Sequence, residues 1–189
     1  NAVPGTTDQL FGLARRYPKQ VFVAAGGDVL NPMIQEIDAE NVTPQVRKRF
    51  EKTAEDLVGR GIKAFGEMTA LHFSFNDKHV YEEVSPDHPL FLLLADLAAK
   101  HDIPIDLHME AVQNKMPFPA GFDKRSKNNP SSLEPNIPAF EKLLAHNPKA
   151  RIVWQHIGWD NKGSGGEGSQ GEAGMTPGPL ISFGDRGGI

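Results

Sequence analysis

The chain has 189 residues, enough for one ordinary core but short of the ~250 residues that a complete eight-unit α/β barrel needs. Its net charge of −4, without basic residues clustered among aromatics, gives no general attraction to nucleic acid or to an anionic membrane, and no apolar run approaches the ~18 residues of a membrane span. Cysteine is absent, which removes disulfides, thiolate nucleophiles and cysteine-bound zinc. A soluble chain acting on a small molecule, with no nucleic-acid or membrane partner, is the expectation; compartment and oligomeric state stay open.

The opening at Asn1, without methionine or an apolar leader, reads as a removed leader or, in preference, as a start part-way through a gene. Thr6 and Thr7 can cap a helix over about Asp8 to Arg16, and Pro18 stops it. Val21 to Ala25 reads as an apolar strand ending at the Gly26-Gly27 turn. Thr43 followed by Pro44 supplies a helix cap and first position in order. From there Val46, Phe50, Ala54 and Leu57 recur at helical spacing to Gly59 and Gly61.

Gly61 to Glu67 is the next strand, followed by a polar loop from Met68 to Pro86. Asp87 and Pro89 open a helix with Leu90, Leu93, Leu94 and Leu97 on its buried side. The strand Ile103 to His108, a long loop to about Asn136, a helix over Ile137 to Ala145 and the strand Arg151 to His156 complete the pattern. Strand and helix alternating in this order predict a parallel sheet with right-handed crossovers. After Asn161 the composition changes: ten of the 19 glycines lie between Lys162 and Ile189, so residues 162–189 are expected to form a disordered tail behind a domain spanning residues 1–161.

Three strands end in groups that ligate metals or move protons: Glu67, His108 and His156. Asp106, His108 and Glu110 stand at alternate positions and share one strand face if the strand runs through them. Each residue has a plain alternative, a surface glutamate for Glu67 and hydrogen-bonded core histidines for the other two. Taken together, equivalent ends of successive strands point to one metal or catalytic site. His72 and His79 fall in the loop after Glu67 and read as solvent-exposed, although either could reach a pocket; His88, His101 and His146 read as structural. There is no phosphate-binding glycine loop and no GxSxG elbow.

The segments "KAFGEM", "IPIDLHMEAV" and "LLAHNPKARIVWQHIGWDN", with "NPMI" after the glycine pair, resemble the amidohydrolase-related (amidohydrolase 2-type) metal-dependent hydrolases over roughly Thr7 to Asn161. The resemblance implies a partial (β/α)8 TIM-barrel fold lacking the first and last units. It places Glu67 at the fourth-strand ligand position, His108 at the fifth and His156 at the sixth, where the histidine is a ligand or acts on the nucleophilic water. It implies a divalent metal, Zn²⁺ before others, with Glu67, His108 and His156 as ligands, His156 also catalytic, and His72 and Trp159 lining the substrate site. The implied reaction is attack of an activated water on an amide, lactone or ester. Decarboxylation in the same superfamily, or a non-catalytic α/β fragment, are the alternatives. No HxH pair occurs, and no strand end carries the family's eighth-strand aspartate, so the chain alone is expected to be an inactive fragment with poor metal affinity.

Overall fold

The computed structural model describes residues 6–119, 124–155, 160–161 and 175–176. In chain order the elements are α1 (Thr7–Arg16), β1 (Ala24–Gly26), α2 (Asn31–Gln35), a 3₁₀ turn (Ala39–Asn41), α3 (Pro44–Gly59), β2 (Ala64–His72), β3 (Glu82–Glu83) and α4 (Pro89–His101). They continue with β4 (Ile105–Met109), β5 (Met116–Pro117), β6 (Ser132–Leu133), α5 (Ile137–His146), β7 (Ile152–Trp154), β8 (Asp160–Asn161) and β9 (Met175–Thr176). The protein is α/β, with a mostly parallel sheet ordered β1-β2-β4-β7 and helices between successive strands. β1 and β2 pair in parallel from Ala24–Ala64 to Gly26–Gly66, and β3 adds an antiparallel edge at Leu71–Glu83 and His72–Glu82. Among the described residues no helix is long and apolar enough to cross a membrane.

The helix starts follow local chemistry. Thr6 accepts from the Gln9 amide while the Gln9 side chain accepts from the Thr6 amide, a reciprocal cap. Thr43 accepts from the Val46 amide with Pro44 at the first helical position. α4 is capped by His88, one residue after the expected Asp87: its Nδ1 accepts from the Leu90 amide at 3.2 Å, and its Nε2 lies 2.9 Å from the Ile37 carbonyl. Asp87 instead pairs with Lys142 at 2.8 Å.

Two strands differ from their expected bounds. β1 starts only at Ala24, because the Val21 amide still bonds the Tyr17 carbonyl in the turn after α1, and Phe22 is 70 % exposed. β2 runs five residues past Glu67. Met68, Thr69, Ala70 and Leu71 are buried, so the charge at position 67 interrupts an apolar strand without ending it. α2, with Pro32 in its first turn, is a short helix that the sequence pattern does not predict. Residues 162–189 lie outside the described residues except Met175 and Thr176, which pair antiparallel with Asn161 and Asp160.

The chain divides into two compact units. The first takes in Asn1–Met68, His88–Leu107 and Leu143–Val153. Its core holds Phe50, Ala54 and Leu57 of α3 with Leu90, Phe91, Leu94 and Leu97 of α4, around Phe65, Ile105 and Leu107 of the strands. Each large side chain removed from water there contributes about 1.5–3 kcal/mol. The second unit takes in Thr69–Asp87, His108–Lys142 and Trp154–Ile189. Leu71, Phe73, Met109, Val112, Phe118, Leu133 and Phe140 are buried in it.

Carboxylates tie surface elements within each unit. Hydrogen bonds from Lys100 (2.6 Å) and His101 (2.9 Å) hold the Glu55 carboxyl below its ordinary value. Partial burial pushes Asp96 and Asp87 up, but hydrogen bonds from Asn147 and His146 to Asp96, and from Lys142 and Ser85 to Asp87, outweigh it and leave both lowered. Groups depressed in the folded state stabilise it above their unfolded values, and that stability is lost as pH falls through the folded ones. The urea midpoint is therefore expected to hold at neutral pH and drop below about pH 4, where unfolded Asp and Glu titrate. Glu55→Gln should shrink that drop; an unchanged acid profile would count against the pairing.

Candidate functional site

The carboxyl ends of β2 and β4 carry the chemistry in the second unit. Its half of β2 (69–72) ends in His72, which is half-buried and held in register by Glu82 of β3. Beside it, the Glu110 amide donates to the Leu71 carbonyl at 3.3 Å, so the residues after β4 follow the end of β2. The His108 and His72 ring centroids lie 4.4 Å apart, tilted by 54°.

His108 is buried, and its Nε2 approaches both Glu110 oxygens, at 3.1 and 3.3 Å. Both side chains are more than nine-tenths buried. Positions i and i+2 thus share a face here, as the alternation in the sequence implied. A clamp fixes the pair: Asn136, just before α5, donates from Nδ2 to the Glu110 carbonyl (2.7 Å) and accepts from the Val112 amide (2.9 Å). Trp154 Nε1 donates to the Met109 carbonyl at 2.8 Å, and its ring packs on Phe140 at 4.7 Å. Nothing in the sequence marks Asn136 beyond its place as a polar residue ahead of a helix.

Beyond β2 the chain turns through Phe75 and His79, whose rings lie 5.5 and 4.8 Å from His72. Tyr81 donates to Glu83 at 2.7 Å. Burial first, then that hydrogen bond and the charges of Glu83 and Glu110, push its phenol far above its ordinary value, so it stays protonated.

Of the expected site residues, the structure brings together His72 and His108 and adds Glu110. His72 is the last residue of a strand where an exposed loop was expected. Glu67 is exposed midway along β2, in the first unit, and not at the strand end. The space a side chain at Gly66 would need is filled by the Asp106 side chain. His156 and Trp159 lie outside the described residues.

Imidazole and carboxylate are zinc-type donors, and a buried carboxylate on one ring nitrogen is the arrangement that orients a ligating histidine. In donor chemistry His72, His108 and Glu110 fit a divalent ion. Among the described residues, however, no three His, Asp or Glu side chains are grouped closely enough to hold one. Comparison with family models, curated proteins and solved structures finds no match.

Proposed function

We propose that the strands of this chain are consecutive units of a (β/α)8-type barrel and that its chemistry is metal-dependent hydrolysis of an amide, lactone or ester bond. One observation carries the reading: a buried histidine, held by a buried carboxylate and tilted against a second histidine, lies at the carboxyl ends of neighbouring strands in a mostly parallel sheet. In this class of fold that end is where catalytic groups collect. The resemblance of the "DLHME" and "WQHIGWDN" segments to amidohydrolase-related enzymes points to the same reaction class.

In this reading His108 is a ligand of a divalent ion, Zn²⁺ first. A bound zinc supplies polarisation of the substrate carbonyl and a water acidified toward a pKa of ~7. Glu110 orients the His108 ring by accepting its Nε2 proton. His156 is either a further ligand or the base that takes the proton of the attacking water, and His72 and Trp159 face the substrate.

Equilibrium dialysis against Zn²⁺ tests the ligand assignment. The chain is expected to bind zinc weakly but saturably, and His108→Ala to weaken that binding at least tenfold, a loss of about 1.4 kcal/mol or more. Equal binding by both proteins would remove His108 from the site. A panel of lactones, aryl esters and amides assayed with zinc tests the reaction. Hydrolysis by this chain is expected to be barely above background and to vanish in His108→Ala, whereas CO₂ release from carboxylic acids without hydrolysis would move the assignment to decarboxylation.

A further inference from the structure

The loops at 74–79 and 124–129, both in the second unit, are bound to each other more tightly than surface loops require. Ser74 Oγ, fully buried, donates to the His79 carbonyl at 2.5 Å and accepts from Ser126 Oγ at 2.7 Å. The Ser74 amide donates to Asn129 Oδ1 (2.8 Å), and Asn129 Nδ2 returns a bond to the Ser74 carbonyl (2.9 Å). Asn128 Nδ2 donates to the carbonyls of Asp77 (3.3 Å) and His79 (2.9 Å). The Lys127 amide donates to Asp77 Oδ1 at 2.9 Å.

This lock has two chemical consequences. First, it fixes the His79 ring. Its Nδ1 accepts from the Phe75 amide at 3.2 Å, so in the neutral ring the hydrogen sits on Nε2. Among the described residues that Nε2–H has no acceptor, and the ring stands 4.8 Å from His72. Second, it gathers cations. Lys78, Lys124, Arg125 and Lys127 lie exposed on the two loops against one described carboxylate, Asp77, which is occupied by the Lys127 amide. Lys78, Lys124 and Lys127 have no ion pair among the described residues, whereas Lys115 and Lys142 of the same unit are paired with Glu134 and Asp87. Such a local excess in a chain of net charge −4 raises the concentration of anions near it.

We infer that the paired loops recognise the oxyanion of a small ligand, carboxylate or phosphate, with His79 Nε2–H as the inner hydrogen-bond donor and the lysines as the steering charges. This deepens the proposed function by giving the substrate a negative charge, and rests on it only for the statement that the ligand is a substrate. A donor held by backbone bonds loses little entropy on binding, which suits it to orient a charged group beside His72.

The test is an NMR titration of the histidine ring nitrogens in chelator-treated protein, so that anion binding is read without metal and a failed zinc site does not affect it. Succinate and inorganic phosphate are the two probes, and neutral succinamide is the control. Saturable shifts of the His79 signals with succinate, with phosphate or with both are expected, and none with succinamide; which anion binds tighter names the group. Lys78→Ala/Lys127→Ala, changing only exposed side chains, should weaken binding about three- to tenfold. His79→Phe should weaken it about tenfold or more, and His79→Gln, which keeps an N–H, should recover part of the loss. Absence of a saturable shift, equal shifts with succinamide, or affinity unchanged in both the double lysine variant and His79→Phe would overturn the inference.

Discussion

Replacing Gly66 by alanine is expected to lower the unfolding free energy by about 1–3 kcal/mol, the cost of forcing a methyl into a filled space. A Cβ at this position would stand 2.5 Å from Asp106 Cβ, closer than real Cβ contacts come, and a tight 3.2 Å from Asp106 Oδ2. Cβ is fixed to the backbone, so Asp106 cannot rotate away and the strands themselves must part. Gly27 is comparable: a Cβ there would lie 2.7 Å from the Glu67 carbonyl oxygen. Gly59, the last residue of α3, gives the internal control, because nothing lies within 4 Å of its Cβ direction. Alanine there should stabilise by about 0.5–1 kcal/mol. Urea midpoints moving in opposite directions for Gly66→Ala and Gly59→Ala are the expected result. Midpoints that fall together would contradict the close strand approach.

The second large effect falls on Glu110. Truncation to alanine leaves the His108 Nε2 buried opposite an empty space, and an unsatisfied buried donor costs about 1–3 kcal/mol. The same change frees the His108 ring to rotate. If His108 is a metal ligand, zinc affinity should fall about 10–100-fold, as it does when an orienting carboxylate is lost from behind a ligating imidazole. Glu110→Gln keeps an acceptor oxygen within reach and should retain most of the stability while still weakening zinc. Stability lost with zinc affinity intact would make the His108–Glu110 pair purely structural.

The helical part of this fold is written locally. Thr6 and Thr43 cap helices where the sequence places a hydroxyl residue ahead of a helical pattern, and Phe50, Leu57, Leu90 and Leu94 are buried as their spacing requires. His108 and Glu110 were legible as a pair because period-two alternation is a property of any strand. The end of β2 was not. A charged residue inside a strand buried on both sides looks like a boundary, and Met68 to Leu71 carries no alternation to correct that impression. That single misplacement turned His72 from a strand-end residue into an exposed loop residue. The hydrogen bonds of Asn136, Asn129 and Ser126 escape sequence reading for a different reason: their partners lie 24 to 55 positions away, and no local pattern specifies them.

Crystals soaked in Zn²⁺ and measured at the zinc absorption edge test the central claim most directly. An anomalous peak about 2.0–2.1 Å from a ring nitrogen of His108, the usual zinc–imidazole distance, is the predicted result. Zinc located only at other histidines, or no ordered zinc at all with the His108–Glu110 pair undisturbed, would contradict it.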